Sequence, residues 1–158
     1  MCSLVLSRLD YCNSILSRSP KYLIQKLQIV QNTAARITLR MPRTEHTTPL
    51  LGMLHWLPIS SGMAYKIDSL CHTALTTAYP KYLSELLNVY TPARPLRLSS
   101  DPNILNIAAA RTKSYGQRAF AYQGSINWNR IPGGIIAVKE TETLKKHLKT
   151  ALFSRQDS

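Results

Sequence analysis

Between Ser19 and Met41 the apolar residues recur with a helical period. Leu23, Leu27, Val30, Ala34, Ile37 and Met41 are spaced four, three, four, three and four apart. At about 100° per residue they stay within an arc of roughly 80°. The spacing predicts a helix whose seam faces a core. Ser19 is placed to accept hydrogen bonds from the first free amides, and Pro20 at the first helical position sacrifices none. One residue earlier, Tyr22, Lys26, Ile29, Thr33, Arg36 and Arg40 repeat the rhythm, so three cations and an aromatic ring lie beside the seam. Periodicity alone leaves this stripe open as a solvated face or a binding flank.

The same reading extends along the chain. Apolar residues at 5, 9, 12 and 16 predict a preceding helix from Leu4 to Leu16, broken at Ser17-Arg18-Ser19-Pro20 and paired with the next helix as a hairpin. After Pro42, a short helix begins at Thr48-Pro49 and runs through Leu50, Leu51 and Leu54, with Leu54, Trp56 and Leu57 forming a plug. Ser60 or Ser61 then caps a helix bearing Met63, Ile67, Leu70 and Ala74, flanked by Cys71 and Ala78. Tyr79-Pro80 ends it, and a further short helix spans Pro80 to Leu87. Pro92, Pro95 and Pro102 keep residues 91–117 irregular, with room for a short strand at Ile104 to Ile107. Ala119 to Trp128 reads as a helix, Ile131-Pro132-Gly133-Gly134 as a turn. Thr141 to Phe153 reads as a terminal helix with Leu144, Leu148, Ala151 and Leu152 opposite Lys145, Lys146 and Lys149. The expected fold is mostly α: a helical bundle over residues 1–90, then a basic, Pro-rich connector and C-terminal helix over 91–158, packed on the first part.

Composition changes this picture in one respect. A chain of 158 residues with 44% hydrophobic content can bury a core unaided, but 20 Lys and Arg against 8 Asp and Glu leave a net charge of +12. Such an excess calls for a polyanionic partner, nucleic acid above all, because neutralised phosphates release counterions. The cations are spread through structured segments, which disfavours a membrane surface. Three cysteines without close spacing fit free thiols in a reducing compartment. No apolar run reaches the roughly 18 residues of a membrane span. The helical pattern begins at once after Met1, as in a chain cut from something longer.

Catalytic chemistry finds no support in the residues. Two-metal chemistry needs clustered carboxylates, and the closest acids, Glu140 and Glu142, diverge on a helix. His46, His55, His72 and His147 make no zinc-ligand spacing with a cysteine, and no nucleophile elbow occurs. Gly133-Gly134 lacks the following Lys-Ser/Thr of a phosphate loop. No cofactor, metal or catalytic residue is expected.

Several motifs together resemble the C-terminal part of a LINE polyprotein, from a non-LTR retrotransposon of the Jockey-like group. They are Ser7-Arg8-Leu9-Asp10-Tyr11-Cys12-Asn13-Ser14, Lys26-Leu27-Gln28, Val30-Gln31-Asn32, Ala34-Ala35-Arg36, His46-Thr47-Thr48-Pro49 and Leu54-His55-Trp56-Leu57-Pro58-Ile59. The later blocks Tyr115-Gly116-x-Arg118-Ala119-Phe120 and Trp128-Asn129-x-Ile131-Pro132 keep the family's order. The resemblance implies a thumb-like and post-thumb segment downstream of an endonuclease and a reverse transcriptase. The parent would be an RNA-directed DNA polymerase of cytoplasm and nucleus. The palm's aromatic-x-Asp-Asp motif has no counterpart here. Gly62, Ala108-Ala109 and Leu144 depart from the family's usual Arg, Pro-Arg and aromatic, which fits either ordinary variation or a decayed copy.

Two functions follow as expectations. In the first, Tyr22, Lys26, Arg36, Arg40, Arg94, Arg97, Arg111, Lys113, Tyr115 and Arg118 form a nucleic-acid surface for RNA or single-stranded DNA. Between Tyr11 and Thr44 there are six cations and no acid. In the second, the chain is a structural module packed against the upstream palm. Trp56 and Trp128 read more readily as core residues than as stacking platforms.

Overall fold

A computed structural model describes residues 7–11, 13–91, 103–112, 115–138 and 140–154. Expectations at Val5, Cys12, Arg94, Arg97 and Lys113 lie outside the described residues. The architecture is mostly helical: α1 Lys21–Leu39, α2 Thr47–Met53, α3 Ile59–Thr77, α4 Lys81–Ser84, α5 Phe120–Trp128, α6 Gly133–Ile136 and α7 Thr141–Ser154. The chain divides into two compact units, Met1–Ala64 with Lys149–Ser158, and Tyr65–Leu148. The compositional boundary at residue 90 therefore falls inside the second unit, because Val89 pairs with Leu105 across it.

In the first unit, residues 7–10 are helical and Asn13–Leu16 form a 3-10 turn before α1. Pro20 is the N-cap of α1, and no side chain caps it. Ser19 does not take the expected role; its own N–H donates to the Leu16 carbonyl at 2.9 Å, while Pro20 accepts from Leu23 at 2.9 Å. The buried side of α1 is also rotated from the expected seam. Leu27 and Ala34 of that seam are half-buried and buried, but Leu23, Val30, Ile37 and Met41 are 39, 48, 65 and 40% exposed, and Gln31 and Ala35 are buried in their place.

Hydrogen bonding and side-chain size explain the rotation. Ala35 packs with Leu50 and Leu51, and half-buried Leu39, Leu54 and Trp56 close the cluster. Gln31 is tolerated inside because its amide donates to the Leu57 carbonyl at 2.9 Å. Gln28 donates to Gln31 and Asn32 and accepts the N–H of Ile59 at 2.9 Å. That side chain, and not Ser60 or Ser61, satisfies the first amide of α3.

Two helix ends in this unit share a closure. The Arg40 and Met41 amides donate to Ile37 and Arg36, and those of His55 and Trp56 donate to Gly52 and Leu51. Arg40 and His55 carry positive φ, 54° and 53°, where a helix usually ends on glycine.

The second unit is built around Ile67, Cys71, Ala74, Leu87, Leu105, Trp128, Ile131, Leu144 and Leu148. On α3 the expected inward position Leu70 is 37% exposed, and His72 and Asp68 are buried instead. The His72 Nε2–H donates to the Val138 carbonyl at 3.0 Å, which makes that burial tolerable. α5 approaches α3 closely: a Cβ placed on Gly124 would stand 2.8 Å from the Cys71 sulfur. The strand expected near Ile104 to Ile107 reduces, among the described residues, to one antiparallel bridge between Val89 and Leu105. Tyr90 donates to Ile104 and Asn106 donates to Asn88, at 2.8 and 2.7 Å.

The Trp128-Asn129 pair explains how that segment is held. The Trp128 indole N–H donates to the Asn103 carbonyl at 2.9 Å. Asn129 accepts the Leu105 amide and donates to the Leu105 carbonyl, each at 2.9 Å. Trp128 is thus a core residue, 3% exposed. The Gly133-Gly134 turn opens the single-turn helix α6, with Pro132 as N-cap.

Candidate nucleic-acid interface

On α1 the sequence-expected stripe is outward. Tyr22, Lys26, Ile29, Thr33 and Arg40 are exposed and Arg36 is half-buried. Successive spacings of four, three, four, three and four hold these positions within about 80° around the axis. The first two interact: the Lys26 ammonium lies 5.9 Å from the centroid of the Tyr22 ring. Such a pair keeps a cation beside an open aromatic face at modest cost. Thr33 turns its hydroxyl back to the Ile29 carbonyl at 2.9 Å, a local bond that leaves the methyl outward.

Arg36 is placed differently from its neighbours. Its Nη2 donates to the Glu45 carbonyl at 3.1 Å, which ties the loop after α1 to the helix. Its buried Nε makes no hydrogen bond among the described residues. The guanidinium is therefore partly committed to the fold. Lys26 and Arg40 make no ion pair among the described residues, unlike Lys81 with Glu85 and Lys145 with Glu142 in the second unit.

In the second unit Arg111, Tyr115 and Arg118 are all exposed, Tyr115 to 80%. Thr112 is tied to the Gly116–Arg118 turn, its hydroxyl accepting from the Gly116 amide at 2.9 Å and its carbonyl from Gln117 at 3.1 Å. The 3-10 turn Gly116–Arg118 then presents Arg118 just before α5. Each unit thus carries its own basic and aromatic set.

Exposed Val30 and Ile37 beside these cations went unread in the sequence, where both belong to the expected core seam. What distinguishes them is the burial of Gln31 against the Leu57 carbonyl, which no local pattern announces. Among the described residues no three His, Cys, Asp or Glu side chains gather as a metal-binding group. No described helix is long and apolar enough to cross a membrane. Burial, with the Asp68 carboxylate nearby, pushes the Cys71 thiol above its ordinary range, so this buried cysteine stays protonated. No protein-family model, no curated protein and no solved structure matches the chain.

Proposed function

We propose that this chain is a non-catalytic accessory segment of a non-LTR retrotransposon reverse transcriptase that binds RNA or single-stranded DNA through phosphate contacts. The observation that carries the reading is the acid-free outer arc of α1, with Tyr22, Lys26 and Arg40 exposed on a chain of net charge +12. Phosphates meet Lys26 and Arg40, and Tyr22 offers a ring to an unpaired base. Arg111, Tyr115 and Arg118 supply a second contact set. Binding of this kind is electrostatic and weakly dependent on sequence. The sequence motifs that resemble the LINE polyprotein supply the biological setting. Template, primer or target strand would be held beside an active site on the upstream palm.

Fluorescence anisotropy with a labelled structured RNA and an equal-length single-stranded DNA, over a salt series, tests the proposal. Affinity falls steeply with salt, and Lys26→Gln with Arg40→Gln lowers the log-log slope by about 0.7 per lost contact on a single strand. A folded chain that ignores both ligands at low salt overturns it. The alternative, a structural module that packs on the palm, draws on a separate observation: Leu23, Val30 and Ile37 are exposed on α1.

A further inference from the structure

Leu23, Val30 and Ile37 lie on α1 at seven-residue spacing, and all three side chains are exposed. They alternate with Leu27 and Ala34, which are half-buried and buried in the same unit. Half of a heptad seam is therefore covered by the chain's own core, and the other half faces outward over two full heptads. Adjacent to the open half, Lys26, Thr33 and Arg40 follow the same seven-residue interval. In a paired helix these are flanking positions whose charge selects the partner.

The geometry points to a docking surface for an amphipathic α-helix from another protein, with an aliphatic heptad seam and carboxylates along its flanks. Its seam packs between Leu23, Val30 and Ile37, and its Glu or Asp side chains pair with Lys26 and Arg40. Charge complementarity selects this occupant, because α1 and its approaches from Tyr11 to Thr44 hold six cations and no acid.

Shape argues in the same direction. The open side chains are branched aliphatics about 10.5 Å apart along the axis. Those dimensions suit knobs from a second helix. A second copy of this chain is a poor match. Antiparallel pairing sets Lys26 against Arg40, and parallel pairing sets Lys26 against Gln31, which already donates to the Leu57 carbonyl.

The test uses the full chain and two labelled synthetic helices of about three heptads with the same leucine seam, one glutamate-flanked and one lysine-flanked. The glutamate peptide binds at least about tenfold more tightly. Ile37→Asp, at an exposed position, abolishes that binding while circular dichroism stays helical. Lys26→Glu with Arg40→Glu reverses the order of the two peptides. Equal affinity for both peptides, no binding of either, or a preference that survives the charge reversal overturns the inference. So does a chain dimer in sedimentation that Ile37→Asp dissolves, or phosphatidylserine vesicles bound with the same sensitivity in place of the peptide. RNA anisotropy on Ile37→Gln, which removes the aliphatic side chain and adds no charge, reads the functional proposal separately.

Discussion

Replacing Gly124 with alanine drives a methyl carbon to 2.8 Å from the Cys71 sulfur, in a core where both groups are buried. Real side chains do not tolerate that approach, so α5 and α3 must separate or repack. Overpacking of this size costs about 1–3 kcal/mol. Alanine in place of a helical glycine returns about 0.5–1 kcal/mol. The net expectation is a loss of about 1–2 kcal/mol, a shift of roughly 2–8 °C in Tm for a chain of this size. With Cys71→Ala the obstructing sulfur is gone. The remaining neighbours, Leu87 Cδ2 at 3.5 Å and Phe120 Cε2 at 3.7 Å, are ordinary contacts. In that background Gly124→Ala becomes neutral or stabilising by about 0.5–1 kcal/mol. A double-mutant cycle by urea denaturation, followed by circular dichroism, therefore yields a coupling of about 1–3 kcal/mol. If Gly124→Ala costs the same with and without the sulfur, the close approach of α5 to α3 is refuted.

Further outcomes follow from particular contacts. Arg40→Gly removes a left-handed residue with a Cβ and raises stability by about 1 kcal/mol, yet weakens RNA binding; a variant that is less stable would contradict the helix closure described for α1. Asn129→Ala strips both partners from the Leu105 backbone and costs about 2–4 kcal/mol, read in denaturant melts and as faster hydrogen exchange at the Leu105 amide; unchanged exchange would refute the clamp. Cys71 is held protonated in the folded chain, so the unfolded chain releases its proton first as pH rises past the thiol's ordinary value of 9.0. Stability from this group is complete below that value and declines above it, by at most about 1.4 kcal/mol per pH unit. The decline is measured as the difference between wild type and Cys71→Ala, and parallel curves for the two would reject it.

Element positions were legible where period and punctuation agreed. Lys21–Leu39, Phe120–Trp128 and Thr141–Ser154 lie within a few residues of the expected spans, because each has a 3.6-residue rhythm and proline or glycine nearby. The buried side of α1 was not legible. Counting apolar residues selects Leu23, Val30 and Ile37, but the fold buries Gln31 and Ala35, since Leu57 and Ile59 offer hydrogen bonds to glutamines more than 25 residues away. No local pattern encodes such a partner. The candidate surface divides in the same way. Exposure of Tyr22, Lys26 and Arg40 follows from polarity and spacing, whereas the tie from Arg36 to Glu45 depends on how the next loop folds back. The helix ends at Arg40 and His55 were hidden because neither is the glycine that such a closure normally displays.

The hold of Asn129 on Leu105 has a consequence for how this protein behaves at high concentration. The Asn129 amide turns one N–H and its carbonyl oxygen to the two backbone groups of Leu105, as a residue of a facing strand would. On its other side the same short segment is met by Asn88 and Tyr90. The carbonyl of Ile104, both backbone groups of Leu105 and the amide of Asn106 are thus engaged within one molecule. Ile104, Leu105 and Ile107 make an aliphatic stretch that another chain could otherwise extend into a growing sheet. One side-chain amide closes that edge, giving Asn129 a part in solubility as well as in folding.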